Sequence, residues 1–213
     1  MPVVTHVCRV ARLHPDAGSA GVTAIDKRPV DGAARVGTYG LRGDVQADRR
    51  HHGGPDKALY AVDAAEAEHW AAVLGQDVPP GRLGENLRTA GVAVDDAEIG
   101  ERWRIGERLE VEVTGPRTPC ATFGRWLRQE RWVSRFTEHG RTGAYLRVVV
   151  PGPVAAGDDV VVVRRPGHGV SVSRWFTAQD PADARTLLAH AADEGWRMAD
   201  YLREYVDRAA ARP

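Results

Sequence analysis

Cysteine is scarce in this chain, long apolar runs are absent, and charge of one sign does not dominate. Cys8 and Cys120 are the only cysteines among 213 residues. Two are too few for a disulfide scaffold. An internal iron–sulfur cluster needs four Cys, or two Cys with two suitably spaced His, and that spacing is missing. Lys+Arg and Asp+Glu each number 29. A chain without net charge is not a binder of nucleic-acid polymers held by bulk positive charge, although a local basic pocket for a small anion remains open. The first sixteen residues carry Arg9 and Arg12 where a signal peptide or membrane span needs an unbroken apolar core. The expectation is a cytoplasmic protein with no membrane partner.

What is present is an ordinary globular mixture, 43% hydrophobic and 27% charged. It suffices for one large domain, or for a domain with a small appendage. Residues 1–166 read as β-rich. Val3, Val7 and Val10 lie in a strand-like opening stretch, and Leu109 to Val113 alternates apolar with charged, as in a half-buried strand. Tyr145 to Val150 reads as another strand, and Val160 to Val163 as a short strand of the buried type. Gly-Asp and Gly-Glu pairs precede several of these runs, as turn chemistry predicts. Many short strands with Gly and Pro punctuation predict a closed or nearly closed barrel. Two helices interrupt it, over about 64–74 and 123–138.

Composition shifts at Arg164-Arg165-Pro166-Gly167-His168-Gly169, a linker. Beyond it, residues 170–213 read as a small helical domain. Asp180-Pro181 supplies an N-cap and a first-turn proline, Gly195 breaks or bends the helix, and Trp196, Ala199, Leu202 and Val206 recur at helical spacing. A piece this small does not easily form its own core, so it is expected to dock on the barrel or on a second copy of the chain, which leaves a homodimer open. The fold class is thus mixed, β-rich α+β: a distorted barrel with peripheral helices and a C-terminal helical domain.

Four segments carry residues suited to chemistry. The stretch from Leu41 to Tyr60 gathers Arg42, Asp44, Asp48, His51, His52, Gly53, Gly54 and Lys57. The paired glycines let backbone N–H groups approach a ligand, and with Lys or Arg nearby such groups form a concave anion site; a polar surface turn is the plain alternative. Adjacent side chains on an extended segment point apart, so His51 and His52 do not easily hold one metal ion. In Gly84-Glu85-Asn86-Leu87, the Asn86 amide suits the edge of a heterocycle or a turn that bonds its own backbone. In Gly115-Pro116-Arg117-Thr118-Pro119-Cys120 two prolines stiffen a loop after a strand. A cationic neighbour favours thiolate over thiol, the form that binds a metal or attacks an electrophile. Most lone cysteines are small buried hydrophobes; Cys8 fits that role, and the residues alone leave Cys120 open. In Gly140-Arg141-Thr142-Gly143-Ala144-Tyr145-Leu146-Arg147, Arg141 reads as a solvated turn residue. Arg147 lies inside an apolar run and needs a partner or a wet cavity.

Taken in order, LRGDVQADRRHHGGPDKALY, GENL, TGPRTPC and GRTGAYLRV resemble the MOSC family (molybdenum cofactor sulfurase C-terminal domain), and in particular its bacterial stand-alone branch. That branch is linked to detoxifying N-hydroxylated bases such as 6-hydroxylaminopurine and often ends in a short three-helix domain. The resemblance covers nearly the whole chain. It implies a distorted β-barrel and a molybdenum–pyranopterin (molybdopterin) cofactor, with Cys120 as both catalytic residue and metal ligand. It makes Arg42, Lys57, Arg117 and Arg147 candidates for the terminal phosphate, with Asn86 and the His51, His52, Gly53 loop candidates for the pterin; Thr118, beside Arg117, belongs to the same set. Residues 121–126 match no pattern of the family. The implied activity is reduction of N–O compounds, with Asp44, Asp48 or a pocket histidine shuttling protons. A separate flavin or iron–sulfur reductase would supply the electrons. A sulfur carrier using a Cys120 persulfide, a store for the cofactor, and a specialised-metabolite enzyme on the same fold are the alternatives.

Overall fold

The computed structural model describes residues 1–48 and 53–212, and over them the chain forms eleven strands and six α-helices. The strands are β1 (Val3–Pro15), β2 (Val22–Pro29), β3 (Ala34–Gly37), β4 (Gly40–Leu41), β5 (Leu59–Asp63), β6 (Leu87–Ala90), β7 (Arg102–Ile105), β8 (Leu109–Pro116), β9 (Ala144–Val150), β10 (Gly152–Val154) and β11 (Val160–Arg164). The helices are α1 (Ala64–Leu74), α2 (Ala121–Leu127), α3 (Trp132–His139), α4 (Val172–Ala178), α5 (Pro181–Asp193) and α6 (Asp200–Ala210).

Eight strands form one sheet in the order β11-β7-β8-β9-β5-β6-β1-β2, and β10-β3-β4 form a smaller one. Among the described residues only β5 and β6 pair in parallel, with α1 as the crossover that a parallel pair requires. The large sheet is distorted and curls on itself without closing strand to strand. An isolated bridge joins Val3 to Asp159, and the N–H groups of Val4 and Val160 donate to Asp158 and Pro2 across the gap. The expected nearly closed barrel therefore takes the form of a curled sheet tied at one point.

Helix α1 covers the residues expected, because Asp63 caps it by accepting from the Ala65 N–H and Gly75, in the left-handed region, ends it. The helix expected over 123–138 is instead two. Arg128 and Arg131 both adopt positive φ and break it. At about 100° per residue, nine positions place Phe123 and Trp132 on opposite sides of a continuous helix. The break lets both bury against Trp70 and Phe136, with Phe123 and Trp132 rings 5.3 Å apart at 89°.

Two strands differ from expectation in burial. Strand β8 is buried on both faces, not half-buried, because the segment after α5 covers Glu112, whose Oε1 accepts from Trp196 Nε1 at 2.7 Å. Strand β11, expected to be buried, exposes Val161, Val162 and Val163. It ends the sheet and pairs with β7 alone, and a short apolar run does not distinguish the two cases.

Asp180 caps α5 through Ala182 N–H, with Pro181 in the first turn, as expected. Val172, Trp175, Leu187, Leu202 and Val206 from α4–α6 share one buried cluster with Leu109, Val111 and Val113 of β8. None of the described helices is long and apolar enough to cross a membrane.

Candidate functional site

Strand β8 ends at Pro116, a three-residue turn follows, and Cys120 begins α2 with an extended backbone, its carbonyl accepting from Phe123 N–H at 3.1 Å. The thiol is half-buried and lines two adjoining cavities that also share Lys57 and Tyr145. The inner one adds Tyr60, Asn86, Arg117 and Asp44; the outer one adds Gly53, Thr118, Tyr201 and Tyr205. Cys8 is the opposite case. It is fully buried in β1, and burial pushes its thiol up to about 12, so it stays protonated and inert.

Arg117 gives the inner cavity its character. It is 5% exposed, and its Nη1 meets no hydrogen-bond acceptor among the described residues. Its guanidinium lies 3.9 Å from the Phe123 ring centroid and 5.4 Å from that of Tyr60. Ring faces stabilise the cation but do not accept its N–H groups as an oxygen would. A buried donor left this way costs stability, and an anionic oxygen in the cavity would satisfy it.

Lys57 presents a second cation. Its Nζ lies 4.1 Å from the Tyr201 ring centroid and 5.4 Å from that of Tyr145. Burial lowers its pKa, opposed by Asp48, Asp56 and Glu204. Tyr201 comes from α6, and its hydroxyl donates to Thr114 Oγ1 at 3.2 Å. Gly115, at φ +145°, leaves room for that hydroxyl, which an added Cβ would approach to 3.0 Å. The C-terminal helix thereby forms one wall of the outer cavity.

Asn86 belongs to the wall itself. Its amide nitrogen donates to Cys8 O at 3.1 Å and Asp44 Oδ2 at 2.8 Å, and its Oδ1 accepts from Tyr60 N–H. Both amide hydrogens are spent on joining β1, β5 and the Asp44 turn. Asp44 is a hub as well, accepting from Val10 N–H and pairing with Lys27.

Two of the expected arginines lie elsewhere. Arg147 donates to Glu112 and Asp56, the partners its position in an apolar run demanded, and it also reaches the Arg197 carbonyl. Arg42 is exposed on a separate groove with Arg9, Arg28 and Arg35. His51 and His52 lie outside the described residues. Among the described residues, no group of three or more His, Cys, Asp or Glu is arranged to hold a metal ion.

Sequence reasoning missed an anchor at the cleft's edge. Asp16, in the β1–β2 loop, accepts from Arg125 Nε at 2.9 Å and from Thr122 Oγ1 at 2.8 Å, and these bonds hold its carboxyl far below the usual range. The pairing spans more than a hundred residues and left no local signal. Tyr60 and Tyr145 were also missed as lining residues. Each follows a glycine- or lysine-bearing turn in a quoted motif, and their place there was the available cue.

The fold is mixed, with a large and mostly antiparallel sheet, and its cleft joins one half-exposed cysteine to a buried cation. The MOSC domain family model matches residues 48–161, and the chain belongs to that family. It is 32% identical to the uncharacterized protein YflK of Bacillus subtilis (strain 168), over 83% of this chain and 82% of that protein. It is 33% identical to protein YiiM of Escherichia coli (strain K12), over 67% and 65% of the two chains. A protein named reductase from Gibberella moniliformis (strain M3125 / FGSC 7600) is 29% identical over 78% of this chain but 30% of its own length. The crystal structure of YiiM from Geobacillus stearothermophilus has the same fold, with a TM-score of 0.78 at 22% identity, covering 99% of this chain and 100% of that one.

Proposed function

We propose that this protein binds a molybdenum–pyranopterin cofactor in the Cys120 cleft, with the Cys120 thiolate as metal ligand, and reduces N-hydroxylated compounds. The observation that carries the reading is the buried, unpartnered Nη1 of Arg117 in a cavity that Cys120 also lines. A half-exposed thiol beside a buried arginine and a half-buried lysine fits a cofactor that brings both a soft metal and a phosphate. Arg117 and Lys57 would hold the anionic end, and Asn86, Gly53 and Thr118 would shape the walls against the pterin. Family membership, and the reductase name of the fungal relative, support redox chemistry.

The cofactor would supply reversible two-electron chemistry at the metal. The chain's own residues position substrate, exclude water and guide protons. Tyr201 and Tyr205 offer ring faces to a flat heterocyclic substrate in the outer cavity. Asp48 also lines both cavities and is the carboxylate placed to pass protons. Overall, R–NHOH takes up two electrons and two protons and leaves as R–NH2 and water. These 213 residues hold two cysteines, too few for an internal cluster, and on this reading a separate flavin or iron–sulfur reductase would supply the electrons.

The test is elemental analysis of protein made in a cofactor-competent host, paired with fluorescence of the oxidised pterin. One molybdenum and one pterin per chain are expected, with metal lost in Cys120→Ala. Metal-free protein carrying an added sulfur atom on Cys120 by mass spectrometry would replace this reading with sulfur transfer.

A further inference from the structure

The groove that takes Arg42 away from the cleft is built at a cost. Arg9 of β1 lies directly opposite Arg28 of β2 in the ladder, and the Arg42 N–H donates to the Arg35 carbonyl at 2.8 Å. Like charges directly opposite across a ladder are destabilising. Four arginines therefore share one open groove with a single carboxylate, Asp31, in a chain whose net charge is zero. Arg28 reaches Asp26 at 3.3 Å; the side chains of Arg9, Arg35 and Arg42 make no hydrogen bond or ion pair to any described residue. Gly43 makes room for this cluster, since an added Cβ would meet Arg9 Nη1 at 3.2 Å.

The groove backs directly onto the Cys120 cleft. Arg28 follows Lys27 of the inner cavity, Arg42 is separated from Asp44 of that cavity only by Gly43, and the Val10 N–H donates to Asp44 Oδ1 at 2.8 Å. A partner bound in the groove would rest against the backbone of the cleft's own wall.

We propose that this groove is the docking surface for an acidic redox protein, the donor of the two electrons required above; the inference rests on the reductase reading. Exposed, unpaired arginines on an open surface suit the rim of a transient protein complex, where complementary charge speeds association. A small anion would need donors that converge out of water. A nucleic-acid polymer would need a longer basic stripe meeting many phosphates, and this groove is one short cluster that also holds Asp31. Each docking event delivers electrons from the partner's reduced centre, two in total per R–NHOH, with the protons coming from solvent through the cleft.

The experiment titrates the full-length protein with an acidic plant-type [2Fe–2S] ferredoxin at low and high salt, beside a DNA duplex and anionic vesicles as rival anions. Wild type should bind ferredoxin, roughly tenfold or more weaker at high salt. Arg9→Glu/Arg35→Glu should weaken binding by roughly a hundredfold and keep wild-type turnover with dithionite as reductant. Absence of ferredoxin binding, equal binding by the variant, or tighter binding of DNA or vesicles would overturn the docking surface. Cofactor-loaded wild type that fails to turn over with dithionite would instead sink the reductase reading, and the donor role with it, even with ferredoxin binding intact.

Discussion

Two arginines near the junction of β8 and β9 meet opposite fates. Arg147 is surrounded by oxygen: Glu112, Asp56 and the Arg197 carbonyl all accept from it. Glu112, itself fully buried, also takes Arg102 Nε and Trp196 Nε1, each at 2.7 Å. Asp56 is forked by Arg197 at 2.7 and 3.0 Å. The network fastens the C-terminal segment to the sheet. Arg117 is more deeply buried, yet aromatic rings and not carboxylates surround it. A cation whose guanidinium is met by carboxylates and a carbonyl within the chain serves the fold. Arg117, left without an acceptor for Nη1 beside a cavity, is the cation we propose for the ligand.

The contrast breaks most readily at Glu112. Glu112→Ala leaves Arg147 and Trp196 without their shared acceptor, and removing one member of a buried pair costs about 3–5 kcal/mol. Urea unfolding measures it, and a loss near zero would mean that the network contributes nothing to stability.

Asp95 sharpens the comparison from the acidic side. It is fully buried; Oδ1 accepts from Gly143 N–H at 2.8 Å, while Oδ2 has no partner among the described residues. Burial raises its carboxyl to about 6 from an unfolded value near 3.8. A group held protonated by the fold stabilises it fully below the unfolded pKa, and that stability is lost as pH rises from about 4 to 6. Asp95→Asn removes the charge and keeps the Gly143 acceptor. It should raise stability above pH 6 by about 2–3 kcal/mol and flatten thermal unfolding against pH between 4 and 6. An unaltered pH slope would show that Asp95 is not the group responsible.

Arg117→Met should behave unlike Glu112→Ala. The unloaded protein should keep its stability within about 1 kcal/mol, since no partner is orphaned. Pterin content per chain should fall roughly tenfold or more, the worth of a lost charge-assisted hydrogen bond. Severe unfolding, or unchanged pterin content, would place Arg117 with Arg147 as part of the framework. The smallest effect is expected from Tyr201→Phe, which loses its bond to Thr114 and about 1 kcal/mol while keeping the ring over Lys57. Pterin content should hold in Tyr201→Phe and drop in Tyr201→Leu.

Local chemistry was legible where it was self-sufficient. Helix α1 carries its own cap and glycine stop, and α5 its Asp-Pro start, so both were found in the expected places. The stiff turn ahead of Cys120 was equally readable, as two prolines dictate their own backbone. The α2–α3 break was not, because it is set by where Phe123 and Trp132 find a common core. Exposure of β11 was hidden for a related reason, as valines look alike at the edge and the centre of a sheet. Arginine roles were least legible of all, since Arg42, Arg117 and Arg147 are identical residues in neighbouring motifs.

The amino-acid order by itself determined the family, the mixed β-rich class, the helix caps and the cysteine at issue. These follow from short-range spacing and backbone restriction. The tertiary structure alone decided which cations are answered and which are left over, because a partner such as Asp16 for Arg125 or Asp56 for Arg197 is brought from over a hundred residues away. Electrostatic energy depends on distance and burial in space, and neither is written along the chain.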